Sequence, residues 1–300
     1  MSGNIKEALE MLEAYRPLLF AIAYQMTGSA SEAEDLVQET YLRYQQAQER
    51  MEIQSVKSFL TTIIVHLAID YLKSSRHQRE RYVGIWLPEP VLTADAELLP
   101  DEIVERREAV SMAFLILLQT LTPAERAVFL LREIFDYPYE TIATIIGKSV
   151  AACRQIFHRA QQHLAAKRRP FEVVSEVHQS LLTHFLAASQ QGDFDELLRD
   201  LAEDVTLYGD GGGKATVVPQ PLHGAKAVAR FFSVISRKAA TDTRVVLSEA
   251  NGMSALLGWE GERLTTVFLF AISEGRLAEI YAQRNPDKLI YLRRQLRQRR

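Results

Sequence analysis

The sequence predicts a multidomain chain in which two all-α units, the second carrying a helix-turn-helix, precede a smaller α+β domain. Three observations predict it. The first ninety residues carry apolar stripes at helical spacing. Residues 122–169 hold capped helical runs joined by a tight turn containing Gly147. The last third alternates β-rich runs with turn pairs such as Asn251-Gly252. A chain of 300 residues has room for about two or more domains.

In the first unit, Ser31 and Glu34 form a capping box, followed by the apolar stripe Ala33, Leu36, Val37, Thr40, Tyr41 and Tyr44. Asp35, Gln38, Glu39 and Arg43 fall on the opposite face, a compact acidic and amide patch suited to a basic or polar helical partner. A merely solvated face has the same pattern. A second helix is expected from Val56 to about Arg81, burying Phe59, Leu60, Ile63, Ile64, Leu67, Ala68, Tyr71 and Leu72. Lys73, Arg76, Arg79 and Arg81 cluster at its end beside Tyr82 and Trp86. Cations next to aromatics can hold the phosphates of a single strand and stack on its bases, and a helix C-terminus favours cations in any case. From Glu89 to Glu108 the chain is acid-rich and interrupted by Pro90 and Pro100, the composition of a linker.

The helix-turn-helix begins at Thr122, an N-cap with Pro123 at the first helical position and Glu125 three residues on. Asp136, Tyr137 and Pro138 break this helix near Phe135. A short helix runs to Ile146, Gly147 closes it, and Ser149 caps a long helix from Val150. There Val150, Cys153, Ile156, Phe157, Ala160 and Leu164 face inward, leaving Arg154, Gln155, His158, Arg159 and Gln162 outward. Arg and Gln match guanine and adenine edges in the major groove, while Lys148, Lys167, Arg168 and Arg169 suit phosphates. No acidic residue occurs from Lys148 to Pro170.

The final third is expected to hold helices over Val174–Gln190, Phe194–Leu201 and Ala225–Ile235. Strand structure begins at Val205–Tyr208 and continues in Thr243–Glu249, Met253–Glu260, Leu264–Ser273 and Arg276–Arg284, with a short basic helix from Leu289. Turn pairs Asn251-Gly252, Glu260-Gly261 and Glu274-Gly275 join the strands, giving three helices against a curved antiparallel sheet.

A net charge of −3 places the basic character locally, unlike a protein that coats nucleic acid along its whole surface. The single cysteine, Cys153, excludes an internal disulfide and reads as a small buried residue, and no cysteine cluster offers a zinc site. No cofactor or metal is expected. The chain opens without a signal peptide, and its longest apolar run, Ala109–Leu121, is too short to span a bilayer, so the expected location is the cytoplasm, without membrane insertion.

The string from Tyr15 to Tyr44, above all AEDLVQET at Ala33–Thr40, resembles the start of the extracytoplasmic-function (ECF) sigma factors of the sigma-70 family. The stretch from Val56 resembles the part of the family that melts and holds the minus 10 promoter element, with His66 standing where relatives commonly have Arg. The helix-turn-helix resembles its minus 35 domain. Three further strings, WLPEP at Trp86–Pro90, DGGGK at Asp210–Lys214 and NPDK at Asn285–Lys288, resemble the SigJ-like branch with a fused SnoaL-like domain of the nuclear-transport-factor-2-like (NTF2-like) cone fold.

The resemblance implies core RNA polymerase and promoter DNA as partners, with Asp35, Gln38, Glu39 and Arg43 docking on the polymerase. Lys73, Arg76, Arg79 and Arg81 would then serve the minus 10 element, and Lys148, Arg154, Gln155, His158, Arg159 and Arg168 the minus 35 element. It implies a division into residues 1–86, a linker 87–108, residues 109–169, a cone 173–285 and a tail 286–300. The cone would act in cis, in place of a separate anti-sigma factor, through Trp86, Leu87, Pro88, Glu89 and Pro90 against Asp210, Gly211, Gly212, Gly213, Lys214, Asn285, Pro286, Asp287 and Lys288. Two other readings stay open: an operator-binding regulator that uses only the helix-turn-helix, and a small-molecule ligand or vestigial enzyme in the cone with Asp204, Asp210 or His223 as acid-base groups.

Overall fold

The computed structural model describes residues 2–48, 52–75, 81–93, 110–165, 176–235 and 242–298. The chain divides into two compact units. The first comprises residues 1–80, 95–109 and 114–168, and the second residues 81–94, 110–113 and 169–300.

The first unit contains α1 (Ser2–Thr27), α2 (Ala30–Gln48), α3 (Val56–Ser74), most of α4 (Met112–Leu118), α5 (Pro123–Glu133), α6 (Tyr139–Ile146) and α7 (Val150–Ala165). The C-terminal half of α1 is apolar on every side because α2 and α3 both pack on it: Leu19, Phe20, Ile22 and Tyr24 are buried, with Val37, Tyr44, Leu60 and Ile64. Truncating Leu60 or Ile64 to Ala in such a core costs about 2–5 kcal/mol. Gly28, at φ 71°, ends α1, and the cap of α2 is Ser29, whose Oγ accepts from Glu32 N at 3.2 Å. The expected cap at Ser31 is therefore one half-turn late, because the left-handed Gly28 reverses the chain early enough for Ser29 to reach the first free amides. The second helix also ends earlier than expected, at Ser74 rather than near Arg81.

The helix-turn-helix forms as its caps dictate. Thr122 and Glu125 make the reciprocal capping box, Asp136 takes φ 54° in the break, and Gly147 closes α6 at φ 69°. Ser149 Oγ accepts from Ala152 N at 3.2 Å at the start of α7. Phe129 stacks on Phe157 at 5.9 Å, joining α5 to α7. The two helical groups share this unit through polar bonds that no sequence pattern announces. The buried Arg126 donates from Nη1 to the Met26 carbonyl, and the hydroxyls of Thr61 and Tyr137 lie 3.0 Å apart.

The second unit holds α8 (Glu176–Gln191), α9 (Phe194–Asp200), β1 (Leu201–Asp210), β2 (Leu222–His223), α10 (Ala225–Ile235), β3 (Thr243–Ala250), β4 (Met253–Glu260), β5 (Arg263–Ser273), β6 (Arg276–Gln283) and α11 (Ile290–Gln298). The sheet order is β2-β1-β6-β5-β4-β3. Strands β3 to β6 are an antiparallel meander, but β1 runs parallel to β6. The expected all-antiparallel sheet is thus mixed: between β1 and β6 lie β2, α10 and the meander β3–β5, a connection long enough to bring the chain back parallel to β1.

Asn251-Gly252 (φ 53° and 61°) and Glu274-Gly275 (φ 51° and 68°) make the expected hairpin turns, both with the paired positive φ of type I′. The remaining turn is Gly261-Glu262, one residue later than expected, since Glu260 pairs with Arg263. Phe185, Leu197, Leu207, Val228, Phe232 and Ile280 are among the core residues between helices and sheet. Residues 81–93 belong to this unit, not to the helical unit that precedes them, and Leu92 bridges to Ala250 as an added strand fragment.

Candidate functional site

On α2 the apolar stripe is buried at Ala33, Val37, Thr40 and Tyr44, and Asp35, Gln38 and Arg43 point to solvent. Glu39 accepts from Arg43 Nε at 2.7 Å, an exposed i,i+4 pair. Beside them Leu42 stands 54% exposed, an apolar residue in the middle of the polar face that the stripe pattern alone had not singled out. Exposed apolar surface ringed by charge is the composition of a docking patch.

On α7, Arg154, Gln155, His158, Arg159 and Gln162 are exposed, while Cys153, Ile156, Ala160 and Leu164 are buried. Arg154 lies over the Tyr139 ring at 5.4 Å, Arg159 Nε is 3.8 Å from Glu125, and His158 meets Gln162 at 3.1 Å. Tyr139 and Glu125 thus contact Arg154 in the second turn of α7 and Arg159 in its middle, and Lys148, just before the helix, is exposed. Burial pushes the Cys153 thiol above its ordinary range, in keeping with a packing role. Arg168, with Lys167 and Arg169, lies outside the described residues. So do Arg76 and Arg79. Lys73 is exposed and pairs with Asp70 at 3.3 Å. Lys73 and Arg81, the described members of the minus 10 set, belong to different compact units.

In the second unit the strings WLPEP, DGGGK and NPDK converge on one carboxylate. Asp210 is fully buried at the end of β1. Its Oδ1 accepts from Tyr82 OH at 2.5 Å and Gly212 N at 3.0 Å. Its Oδ2 accepts from Lys288 Nζ at 2.7 Å, Leu87 N at 2.9 Å and Gln283 Nε2 at 3.3 Å. Lys288 also donates to the Leu87 carbonyl at 2.6 Å and lies against two rings, 3.9 Å from the centroid of Trp86 and 4.6 Å from that of Tyr82. Asn285 Nδ2 donates to Tyr82 OH at 2.8 Å, and Gln283 Nε2 to the Pro88 carbonyl at 3.3 Å. Lys214 pairs with Asp287, so the Asp and Lys of one string meet the Lys and Asp of the other, one pair buried and one exposed.

Leu87, Pro88, Glu89 and Pro90 are buried in this arrangement and Trp86 is half-buried. Burial first, then the hydrogen bond and charge of Asp210, hold the Tyr82 hydroxyl protonated far above the usual phenol range. Gly212, at φ 56°, has no room for a Cβ, which would collide with Asn285 and meet Tyr82 OH at 3.0 Å. Gly212 thus admits Asn285 and Tyr82, and Gly213 lies against Val83. Pro286 sits in a turn closed by Asn285 Oδ1, which accepts from Asp287 N at 3.1 Å.

Sequence reasoning missed Gln283, gave Tyr82 to unpaired bases, and did not see how far the linker is held. Asn251 Oδ1 accepts from Val91 N at 3.1 Å while its Nδ2 donates to the Val110 carbonyl at 3.0 Å. Leu92 N donates to Gln295 Oε1 at 2.9 Å, and Gly252 N to Thr93 Oγ1 at 2.8 Å. One Asn side chain therefore ties together the two ends of the segment 94–109, itself outside the described residues, which held most of the acidic linker expected from the composition. The signal was in the Asn-Gly hairpin, which was read only as a turn.

The cone holds a half-open cavity of about 660 Å³ lined by Phe185, Phe231, Phe232, Phe268, Leu256 and Arg284, among others. Asp204 and His223 line a separate, shallower pocket with Thr206, Tyr208 and Glu279, where His223 Nδ1 is 3.2 Å from Thr206 Oγ1. The structure thus does not bring Asp204, Asp210 and His223 into the cone cavity together. Among the described residues no His, Cys, Asp or Glu group is arranged to hold a metal, and no helix is long and apolar enough to cross a membrane.

Comparison with known proteins agrees with this arrangement. Residues 11–78 match Sigma-70 region 2 and residues 111–164 match Sigma-70 region 4. The chain is 32% identical to the ECF RNA polymerase sigma factor SigJ of Mycobacterium tuberculosis over 92% of its own length and 91% of that protein. It is 31% identical to the probable ECF RNA polymerase sigma factor SigI of the same species, over 94% and 95% of the two chains. Its structure is similar to the crystal structure of M. tuberculosis SigJ, with a TM-score of 0.73 and 28% identity, covering 94% of this chain and 98% of that one. With both sigma regions in place and the likeness carried through the appended α+β cone, the chain belongs to the ECF family of RNA polymerase sigma factors and acts in promoter-directed transcription initiation.

Proposed function

We propose that this sigma factor is governed in cis: its SnoaL-like domain holds the connection between regions 2 and 4 and takes the place of a separate anti-sigma factor. The observation that carries this is the path of the chain between the two sigma regions: residues 81–94 and 110–113 belong to the second unit, where Tyr82, Leu87, Val91 and Leu92 are bonded to it, and Asn251 also takes the Val110 carbonyl. Any change in the grip on this connection changes what regions 2 and 4 can do together. Covalent attachment gives the domain a high effective concentration.

Within that scheme Asp35, Gln38, Glu39 and Arg43 dock on core polymerase, with Leu42 as the apolar centre of the patch. Arg154, Gln155, His158 and Arg159 read the minus 35 element while Lys148 and Arg168 position its backbone, and Lys73, Arg76, Arg79 and Arg81 serve the minus 10 element. The polymerase patch and, apart from Arg81, the minus 10 set belong to residues 1–80, the minus 35 function to 109–169. The regulatory unit takes in the cone 173–285, the tail and residues 81–93. It is a binding module and not an enzyme, since Asp210 is committed to Lys288 and the linker, and His223 faces away from the apolar cavity. The site of action is the cytoplasm.

A pull-down with bacterial core polymerase tests the assignment. The full chain and Trp86→Ala bind alike, and Asp35→Lys with Glu39→Lys is retained several-fold more weakly. Equal retention of all three across a range of salt refutes the α2 assignment, and retention of none refutes the whole scheme.

A further inference from the structure

We propose that the cone cavity takes an apolar carboxylic acid whose anionic head meets Arg284, and that its occupancy is relayed through β1 and β6 to the linker held on the other face of the sheet. The inference builds on the regulatory reading of the clamp and adds the ligand class and the route.

The cavity, about 660 Å³, lies within the range of small-molecule sites. Its walls are Phe185, Phe231, Phe232, Phe268, Leu256 and Val245. A wholly apolar ligand would satisfy those walls, but Thr216, Glu260 and Arg284 line the cavity too. Arg284 is anchored by Nη1, which donates to the Thr216 carbonyl at 2.8 Å, while its buried Nε has no hydrogen-bond partner among the described residues. A buried donor left unmade is costly, and a carboxylate on a guanidinium is the strongest partner available. Glu260, the anion of the lining, opposes this weakly: it is exposed at the end of β4, paired across the strand with Arg263, and solvent screens it.

Strand alternation supplies the relay. Leu207 and Gly209 on β1, and Ala282 and Arg284 at the end of β6, line the cavity. Tyr208 and Asp210, with Tyr281 and Gln283, pair with each other in register and point to the opposite face. There Asp210 and Gln283 bond Leu87 and Pro88. Arg284 N and Asn285 N both donate to the Asp210 carbonyl, at 2.8 and 3.0 Å, so the residue that meets the ligand and the residue that grips the linker share one backbone oxygen. A ligand that draws Arg284 inward shifts the strand end on which Gln283, Asn285 and Lys288 depend.

The test uses the full chain and the fluorescent apolar anion 1-anilinonaphthalene-8-sulfonate as probe. It is displaced by dodecanoic acid or 9-anthracenecarboxylic acid, each compared with the corresponding alcohol. The acids are expected to displace it about tenfold or more better than the alcohols, the discrimination a charge-assisted hydrogen bond gives. The stronger of the two acids tells an alkyl from a polycyclic source. Arg284→Gln should erase that preference, and Thr266→Phe, which fills the cavity, should abolish binding of both classes while urea unfolding confirms the fold. Equal displacement by acid and alcohol in the parent overturns the anionic head, and undiminished binding to Thr266→Phe overturns the site.

For the relay, amide hydrogen exchange at Leu87 is followed with and without the bound acid, and occupancy should change its rate about tenfold. Binding that leaves Leu87 exchange unchanged overturns the relay. The clamp reading itself fails separately, if Asp210→Asn releases Leu87 without changing transcription.

Discussion

Asp210→Asn is the sharpest perturbation of the clamp. It keeps the shape of the side chain and removes its charge. The carboxylate accepts from two donors on Oδ1 and three on Oδ2, one of them the ammonium of Lys288. An amide has one acceptor oxygen. Placed at the Oδ2 position, it meets Lys288 and Leu87 N only as a neutral, weaker acceptor, so both are held less tightly, and its own NH₂ turns toward Gly212 N and loses that bond. Lys288, 9% exposed, is left without a counter-charge.

Breaking a buried pair from one side costs about 3–5 kcal/mol, and the contacts Lys288 keeps with the Leu87 carbonyl and two rings place the expectation near about 3. The protein's two tryptophans, Trp86 and Trp259, both belong to the second unit, so their emission in urea follows that unit alone. At a slope of about 1–3 kcal/mol per molar, the midpoint should fall by about 1–3 M. Adding Lys288→Met should restore part of the loss, since removing both charges is milder than stranding one. A loss under about 1 kcal/mol, the worth of an exposed pair, would refute the reasoning.

Charge reversal at Asp35 and Glu39 should weaken polymerase binding by several-fold at low salt without altering helix content, because the Glu39–Arg43 pair it breaks is exposed and worth only about 0.3–0.5 kcal/mol. Arg154→Ala should cost about 1–3 kcal/mol of minus 35 binding and relax preference at one base pair, whereas Lys148→Ala should weaken every site alike; electrophoretic mobility shifts on single-base promoter variants distinguish them. Tyr137→Phe, which removes the bond to Thr61, should loosen regions 2 and 4 within the first unit, read as a greater spread of distances between labels on α2 and α7.

His184 is lifted above its ordinary 6.5, first by its hydrogen bond to Asp200 and then by that carboxylate's charge. Its contribution to the α8–α9 contact is therefore fully present below pH 6.5 and lost as pH rises through the higher folded value, a slope in urea midpoints that His184→Gln should flatten.

The helix-turn-helix was legible almost residue by residue because local chemistry decides it. Thr122, Pro123, Glu125, Gly147 and Ser149 each satisfy a backbone need at the position where they stand. The hairpins at Asn251 and Glu274 were legible for the same reason. What escaped was non-local. Gln283 lies beside Asp210 only because β1 pairs with β6 in one register, and no feature of residues 201–210 declares a parallel partner more than seventy residues away. Tyr82 follows four cations in sequence and looked like a base-stacking residue, yet its hydroxyl is bonded 128 residues downstream. The strings WLPEP, DGGGK and NPDK pointed to a shared contact, but the ionic logic, two crossed Asp–Lys pairs with one buried, required the fold.

Run-off transcription with core polymerase and a cognate promoter, comparing the full chain with Asp210→Asn and Trp86→Ala at saturating polymerase occupancy, tests cis regulation most directly. Both variants loosen residues 82–88 and leave α2 and α7 untouched. Transcript yield should depart from the parent by several-fold in both, with polymerase binding unchanged. Parent-level transcription from variants whose Leu87 amide exchanges freely would contradict the claim that the grip on the linker controls the sigma factor.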